Sequence, residues 1–191
     1  MTPYFQNHWV TLYCGDALGI LSQLNKVDLC LTEPASWENP LWYELARKIS
    51  TRMGLITHPA GLKKSVQLVG NDLVDVIAAR NLTKSREGAL GKTNWIAAVL
   101  IGEGFPKGPN SFDFEQLEEL PDFPEPKPIE CMRGLIGRLC NPNDVVLDPF
   151  AGSGTVLVAA RDLQFHSIGI ESSEESCDLI RRRLGWKPSM Q

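Results

Sequence analysis

A chain of 191 residues, 43% hydrophobic and 22% charged, is long enough to bury the core of one globular domain. Its formal net charge of −4 creates no global field that would draw it to a polyanion, so any contact with nucleic acid must rest on a local patch. Five cysteines are scattered without a Cys-x-x-Cys pair, and His8, His58 and His166 are isolated. This excludes a disulfide scaffold and predicts free thiols, a reducing cytoplasmic setting and no metal site. There is no apolar run of membrane length and no secretory signal pattern.

In chain order, residues 8–14 read as a strand, and 17–24 as a short helix with Leu18, Leu21 and Leu24 at helical spacing. Residues 27–31 form an apolar strand broken only by Asp28, which runs into Thr32-Glu33-Pro34-Ala35-Ser36-Trp37. Residues 40–52 read as a helix with Trp42, Leu45 and Ile49 on one face, and 54–57 as a short strand. The apolar run 73–79 suits a strand or a helix, and the polar, turn-rich stretch 81–93 suits a loop. Residues 95–101 read as a buried strand, 102–122 as irregular, and 128–140 as an amphipathic helix whose Gly134 and Gly137 imply close packing. Strand, glycine loop and helix then follow over 145–160, a strand ends in Glu171, and a last helix spans 173–184. Strands alternating with helices predict an α/β fold with a mainly parallel sheet covered on both faces. Ligands of such sheets bind at the carboxyl ends of the strands.

The most informative stretch is Asp148-Pro149-Phe150-Ala151-Gly152-Ser153-Gly154-Thr155. Gly152 and Gly154 let a ligand approach the backbone, and the helix that follows presents its free N–H groups. Glu171, at the tip of the neighbouring strand, is placed to hold ribose hydroxyls. A dinucleotide fingerprint wants a third glycine where Leu157 stands, and Asp148 would repel a pyrophosphate. An acid there suits a cationic or zwitterionic nucleoside such as S-adenosylmethionine. Asp16, Glu33, Asp148 and Glu171 all fall at predicted strand ends. Four acids on one rim would repel one another unless a cation or hydrogen-bond donors sit among them. Helix capping is the alternative role for each, and it competes most strongly at Asp16.

The loop from Asp148 to Thr155 resembles the S-adenosylmethionine loop of DNA amino-methyltransferases, which methylate adenine N6 or cytosine N4. Pro126-Lys127-Pro128 is similar to the Lys-Pro element before that loop, and Gly15-Asp16 to the Gly-Asp pair before the family's catalytic strand. Thr32-Glu33-Pro34-Ala35-Ser36 occupies the place of the catalytic Asp-Pro-Pro-Tyr, in the order of the circularly permuted branch. The resemblance implies a Rossmann-like methyltransferase fold with a seven-stranded sheet, and one domain over 1–191 with a variable segment at 60–122. It also implies S-adenosylmethionine as cofactor, held by Asp16, Lys127, Asp148, Phe150, Gly152, Gly154 and Glu171. Catalysis would fall to Glu33, Pro34 and Trp37. An acceptor side chain and the proline carbonyl take the hydrogens of the target amino group, so that its lone pair faces the methyl group, while an aromatic residue stacks on the flipped base.

Glu33 is one methylene longer than the family's Asp, and Ser36 removes the stacking ring, a role left for Trp37. Three readings follow. The first is a methyltransferase acting on an exocyclic amino group, adenine N6 by virtue of the acid at position 33. The second is a relative that has kept the cofactor loop, lost transfer and become a binding or regulatory protein. The third is a nicotinamide-dependent oxidoreductase, opposed by the missing third glycine. DNA contact is expected from the segment 60–95, where six basic residues face three acidic ones, with Lys84, Arg86 and Lys92 as phosphate contacts or as a merely solvated loop. Target-site specificity would come from 60–122, from a partner or from a homodimer.

Overall fold

A computed structural model describes residues 1–34, 37, 39–88, 91–116 and 126–185, with only the backbone described at 86–88 and 91–93. The strands are β1 (Phe5–Gln6), β2 (Val10–Cys14), β3 (Val27–Thr32), β4 (Ser50–Thr57), β5 (Leu73–Asn81), β6 (Arg86–Gly88), β7 (Gly91–Thr93), β8 (Trp95–Gly102), β9 (Ser111–Phe114), β10 (Val145–Asp148) and β11 (His166–Glu171). The α-helices are α1 (Ala17–Leu21), α2 (Leu41–Ile49), α3 (Leu62–Val69), α4 (Ile129–Leu139), α5 (Thr155–Asp162) and α6 (Glu174–Arg183).

Nine strands join one sheet in the order β1-β2-β11-β10-β3-β4-β8-β5-β9. From β2 through β11, β10 and β3 to β4, every neighbour is parallel. β8 lies antiparallel between β4 and β5. These seven strands are the expected body of the sheet. The two extra strands are at the edges: β1 pairs antiparallel with β2, and β9 parallel with β5. β9 comes from the stretch read as irregular, where Ser-Phe-Asp-Phe alternates in a proline- and glycine-rich context.

Helices cover both faces, as the alternating pattern predicts. Leu21 of α1, Trp42, Tyr43 and Ala46 of α2, and Val69 of α3 pack into one buried cluster. α4, α5 and α6 fill the other, with Met132, Leu135, Leu157, Ala159, Cys177 and Ile180 fully buried or nearly so. Three local expectations are corrected. The helix expected over 40–52 stops at Ile49, and Ser50, Thr51 and Arg52 begin β4, which pairs with β3 from Val27↔Ser50 onward. Pairing in a central strand outweighs the helical continuation there. The expected loop 81–93 holds a hairpin in which Gly88 faces Gly91. α3, with no counterpart in the sequence reading, is a two-turn helix too short to announce itself by periodicity.

One buried ion pair locks the amino end of β4. Arg52 is 3% exposed. Its guanidinium bonds Asp144 Oδ2 at 2.5 Å and the Leu139 carbonyl at 3.0 Å, tying β4 to the end of α4 and the turn before β10. Gly134 of α4 has its own reason, because a Cβ there would meet the Phe112 ring of β9 at 2.3 Å; around Gly137 the space is open. Arg52→Met should cost about 3–5 kcal/mol, since it leaves Asp144 buried without its partner. Urea unfolding checks this, and a loss below about 1 kcal/mol would show that the pair behaves like a surface bridge.

Candidate functional site

The chain leaves β10 for β11 on one side and β3 for β4 on the other. The β10–β3 boundary is therefore the topological switch point, where open α/β sheets leave a crevice at their carboxyl ends. Asp148 ends β10 and Thr32 ends β3 at this boundary. The Thr32 hydroxyl donates to Asp148 Oδ1 at 2.6 Å, with both residues buried. The Phe150 amide reaches the same oxygen at 3.2 Å.

Burial pushes the Asp148 carboxyl from its ordinary 3.8 up to about 7; the bonds from Thr32 and Phe150 pull it down, and the charges of Glu171 and Glu33 push it further up. Its β-strand position fixes the carboxyl in the interior, so proton uptake is the means by which it can avoid an uncompensated charge.

The glycine loop closes tightly above it. The Gly154 amide donates to the Ala151 carbonyl at 2.7 Å, and the Ala151 amide to the Ile170 carbonyl at 2.9 Å. Gly154 caps α5 in the left-handed region, at φ 75°. A Cβ there would lie 2.8 Å from Ile180 of α6. Two separate constraints, conformation and space, thus require glycine. Arg183, at the end of α6, braces the loop from behind by donating to the Ser153 carbonyl at 2.5 Å. The bulky Leu157 that breaks the dinucleotide fingerprint also finds its explanation. A Cβ on Gly169 of β11 would meet Leu157 at 2.4 Å, so the glycine that permits close helix–strand packing sits on the strand instead of the helix.

Glu171 faces this loop. Its Oε2 accepts from the Gly152 amide at 2.9 Å, and its Oε1 from the Ser173 amide at 2.8 Å. The Ser172 hydroxyl adds a longer bond to Oε1 at 3.4 Å; a carboxylate offers about four lone-pair positions, so these bonds orient it and leave acceptor capacity on Oε2. Asp16 is exposed and accepts from the Gly19 amide at 2.8 Å, which makes it the N-cap of α1. Phe150 turns its ring to Trp42, edge to face with centroids 5.4 Å apart. Pro34 is buried, while Trp37 is partly buried and packs against the cluster around α1 and α2. Glu33 pairs with Lys127, a contact between residues 94 positions apart that no local pattern announces. Ala35 and Ser36 lie outside the described residues.

Lys84 is exposed in the turn after β5, where the Asn81 side-chain oxygen accepts its amide at 3.1 Å. Arg86 opens β6 and Lys92 lies on β7, facing Glu87 in register; their side chains lie outside the description. Among the described residues no helix is long and apolar enough to cross a membrane.

A mainly parallel sheet with a glycine loop at its switch point and an acid on the adjoining strand defines a Rossmann-like α/β protein. The DNA methylase family model for N6 and N4 enzymes matches residues 69–182, and the chain belongs to that family. It is 44% identical over 59 residues to the type II methyltransferase M.HindIII of Haemophilus influenzae, an alignment covering 31% of this chain and 19% of that protein. It is 37% identical over 79 residues to the DNA adenine methyltransferase YhdJ of Escherichia coli, covering 39% and 27%. The chain thus matches only a fifth to about a quarter of the length of these relatives. A crystal structure of an M1.HpyAVI–SAM complex superposes with a TM-score of 0.74 at 23% identity, covering 91% of this chain and 99% of that one. The cytosine-N4-specific PvuII DNA methyltransferase gives 0.75 at 14% identity, covering 99% and 90%. These likenesses establish the fold.

Asp148 has a consequence for stability. Its folded-state value of about 7 lies above its ordinary 3.8, so between those values the folded state holds a proton that the unfolded state has lost. Its contribution is therefore fully present below pH about 4 and is lost as the pH rises through about 7. Asp148→Asn, which cannot ionise, should gain stability relative to the unsubstituted protein between pH 5 and pH 8. Urea midpoints at the two pH values test the sign, and a constant difference would contradict it.

Proposed function

We propose that this chain is a DNA methyltransferase that transfers the methyl group of S-adenosylmethionine to an exocyclic amino nitrogen, adenine N6 in the first instance. The observation that carries the reading is the switch point at the β10–β3 boundary, where Asp148, the Gly152–Glu171 bond and Glu33 come together. Membership of the N6/N4 DNA methylase family supports it. The acid at position 33 and the adenine-specific relative favour adenine.

The residues present fit such a cofactor. Among the described residues no cation pairs with the buried Asp148 carboxyl, which suits an ammonium group. Glu171 is oriented with acceptor capacity for ribose hydroxyls. The loop at Gly152 and Gly154 would admit a close approach of the ligand, and Phe150 and Asp16 are assigned to it as further holding residues. When bound, the cofactor supplies an electrophilic methyl group on a sulfonium centre. Glu33 accepts one hydrogen of the target amino group and the Pro34 carbonyl the other, which turns the nitrogen lone pair toward the methyl. Glu33 is also the adjacent base for the proton that the amino nitrogen would shed on methylation. Trp37, four residues after this acid in the chain, is assigned to stacking on the extruded base. Lys84, Arg86 and Lys92, on or beside the β6–β7 hairpin, are assigned to phosphate contacts. We read residues 1–191 as one methyltransferase-like domain of the permuted branch, with 60–122 as its variable, DNA-facing segment.

Incubation with methyl-labelled cofactor and unmethylated DNA, followed by digestion to nucleosides, should place label on N6-methyladenine. Glu33→Gln should reduce it roughly 100-fold or more. Label on cytosine N4 would replace the adenine assignment. Absence of label with cofactor bound would instead support a relative that has lost transfer. Lys84→Ala combined with Arg86→Ala should weaken DNA binding and flatten its log–log salt slope by about 2. An unchanged slope would remove the hairpin from the interface.

A further inference from the structure

The acid proposed to accept the target amino group is already paired. Lys127 Nζ meets Glu33 Oε2 across the rim. We infer that Lys127 is the positioning residue for Glu33, fixing one carboxylate oxygen so that the other is presented to the target amino group. The inference rests on the methyl-transfer reading above.

The two partners are unequal, as an anchor and its load should be. The Lys127 side chain is 15% exposed and that of Glu33 is 38% exposed. Lys127 lies between Pro126 and Pro128. The ring of each proline fixes its own φ, and the residue before a proline is confined to extended conformations. Pro128 is the N-cap of α4, whose Ile129, Cys131 and Met132 are buried. The lysine backbone is thereby bolted to the core. Glu33 is restricted in the same way by the buried Pro34, but its side chain has one more rotatable bond than the family's Asp. Without a partner, that bond would spread the acceptor over several positions, and a displacement of about 1 Å can cost about 100-fold in rate. The salt bridge selects one position. Among the described residues Oε1 accepts no hydrogen bond, so one oxygen is held and the other is available.

The pair also answers the charge problem of the rim. Thr32, the residue before Glu33, donates to Asp148, so Glu33 stands beside the buried acid. Lys127 supplies the cation that offsets the charge of Glu33. The longer acid at position 33 and the lysine at 127 then form one unit, in which the extra methylene serves to reach the lysine.

Five proteins test this: the unsubstituted chain, Lys127→Met, Lys127→Arg, Glu33→Gln and the double variant Glu33→Gln/Lys127→Met. Cofactor affinity is read by calorimetry and methyl transfer by single turnover at saturating cofactor. Lys127→Met keeps the apolar stem and should lower the single-turnover rate at saturating cofactor roughly 10- to 100-fold. Lys127→Arg should recover most of that loss. Lys127→Met should cost nothing further in the Glu33→Gln background, because the two residues act as one unit. The 15N signal of the Lys127 ammonium, slowed in exchange by the pair, should be lost in Glu33→Gln. Weakened cofactor binding with an unchanged rate would make Lys127 a cofactor ligand and overturn the inference, as would additive losses or an absent ammonium signal. No transfer by the unsubstituted chain, with that signal present, would instead overturn the methyl-transfer reading.

Discussion

The hydrogen bond from Thr32 to Asp148 joins the two strands at which the sheet changes direction, and the rest of the site is arranged around it. A carboxyl group held in the interior cannot stay ionised without compensation. Its proton, the Thr32 hydroxyl and the Phe150 amide all help to satisfy it. The same strand ends present Glu33 on one side and the glycine loop on the other. A ligand cation entering the crevice would therefore find an acid that gains by ionising.

The acids of the rim coexist because each has its own partner. Asp16 caps a helix, Glu33 meets Lys127, Asp148 holds a hydroxyl and an amide, and Glu171 is oriented by the amides of Gly152 and Ser173. Capping and ligand holding are compatible at Glu171, where the groups that orient the carboxylate leave lone pairs open. The glycine loop is rigid for steric reasons. Gly154 is confined between a left-handed backbone and Ile180, and Leu157 seats the following helix on Gly169.

The parts of this account legible in the sequence are those set by neighbours in the chain. The loop from Asp148 to Thr155, the strand ending in Glu171 and the alternation of strands and helices all follow from local pattern. Where tertiary pairing decides, local pattern misleads: Ser50, Thr51 and Arg52 continue a helical periodicity yet belong to β4, and the turn-rich stretch after Asn81 folds back as a hairpin. The edge strands β1 and β9 are too short to signal themselves. The contacts of Arg52 with Asp144, Gly169 with Leu157 and Glu33 with Lys127 are set by the closing of the sheet. The four acids could be assigned to one rim from the sequence, whereas the pairing of Lys127 with Glu33 could not.

Calorimetric titration of S-adenosylmethionine across pH 6 to 8 tests the proposal that the switch point beside Asp148 binds a cationic nucleoside. Because the Asp148 carboxyl titrates at about 7 in the folded protein and a bound ammonium favours its ionised form, affinity should rise with pH through that range. Binding at pH 6 should release a proton to the buffer, and Asp148→Asn should abolish both effects. Binding that is absent, or that is independent of pH and indifferent to Asp148→Asn, would contradict the account.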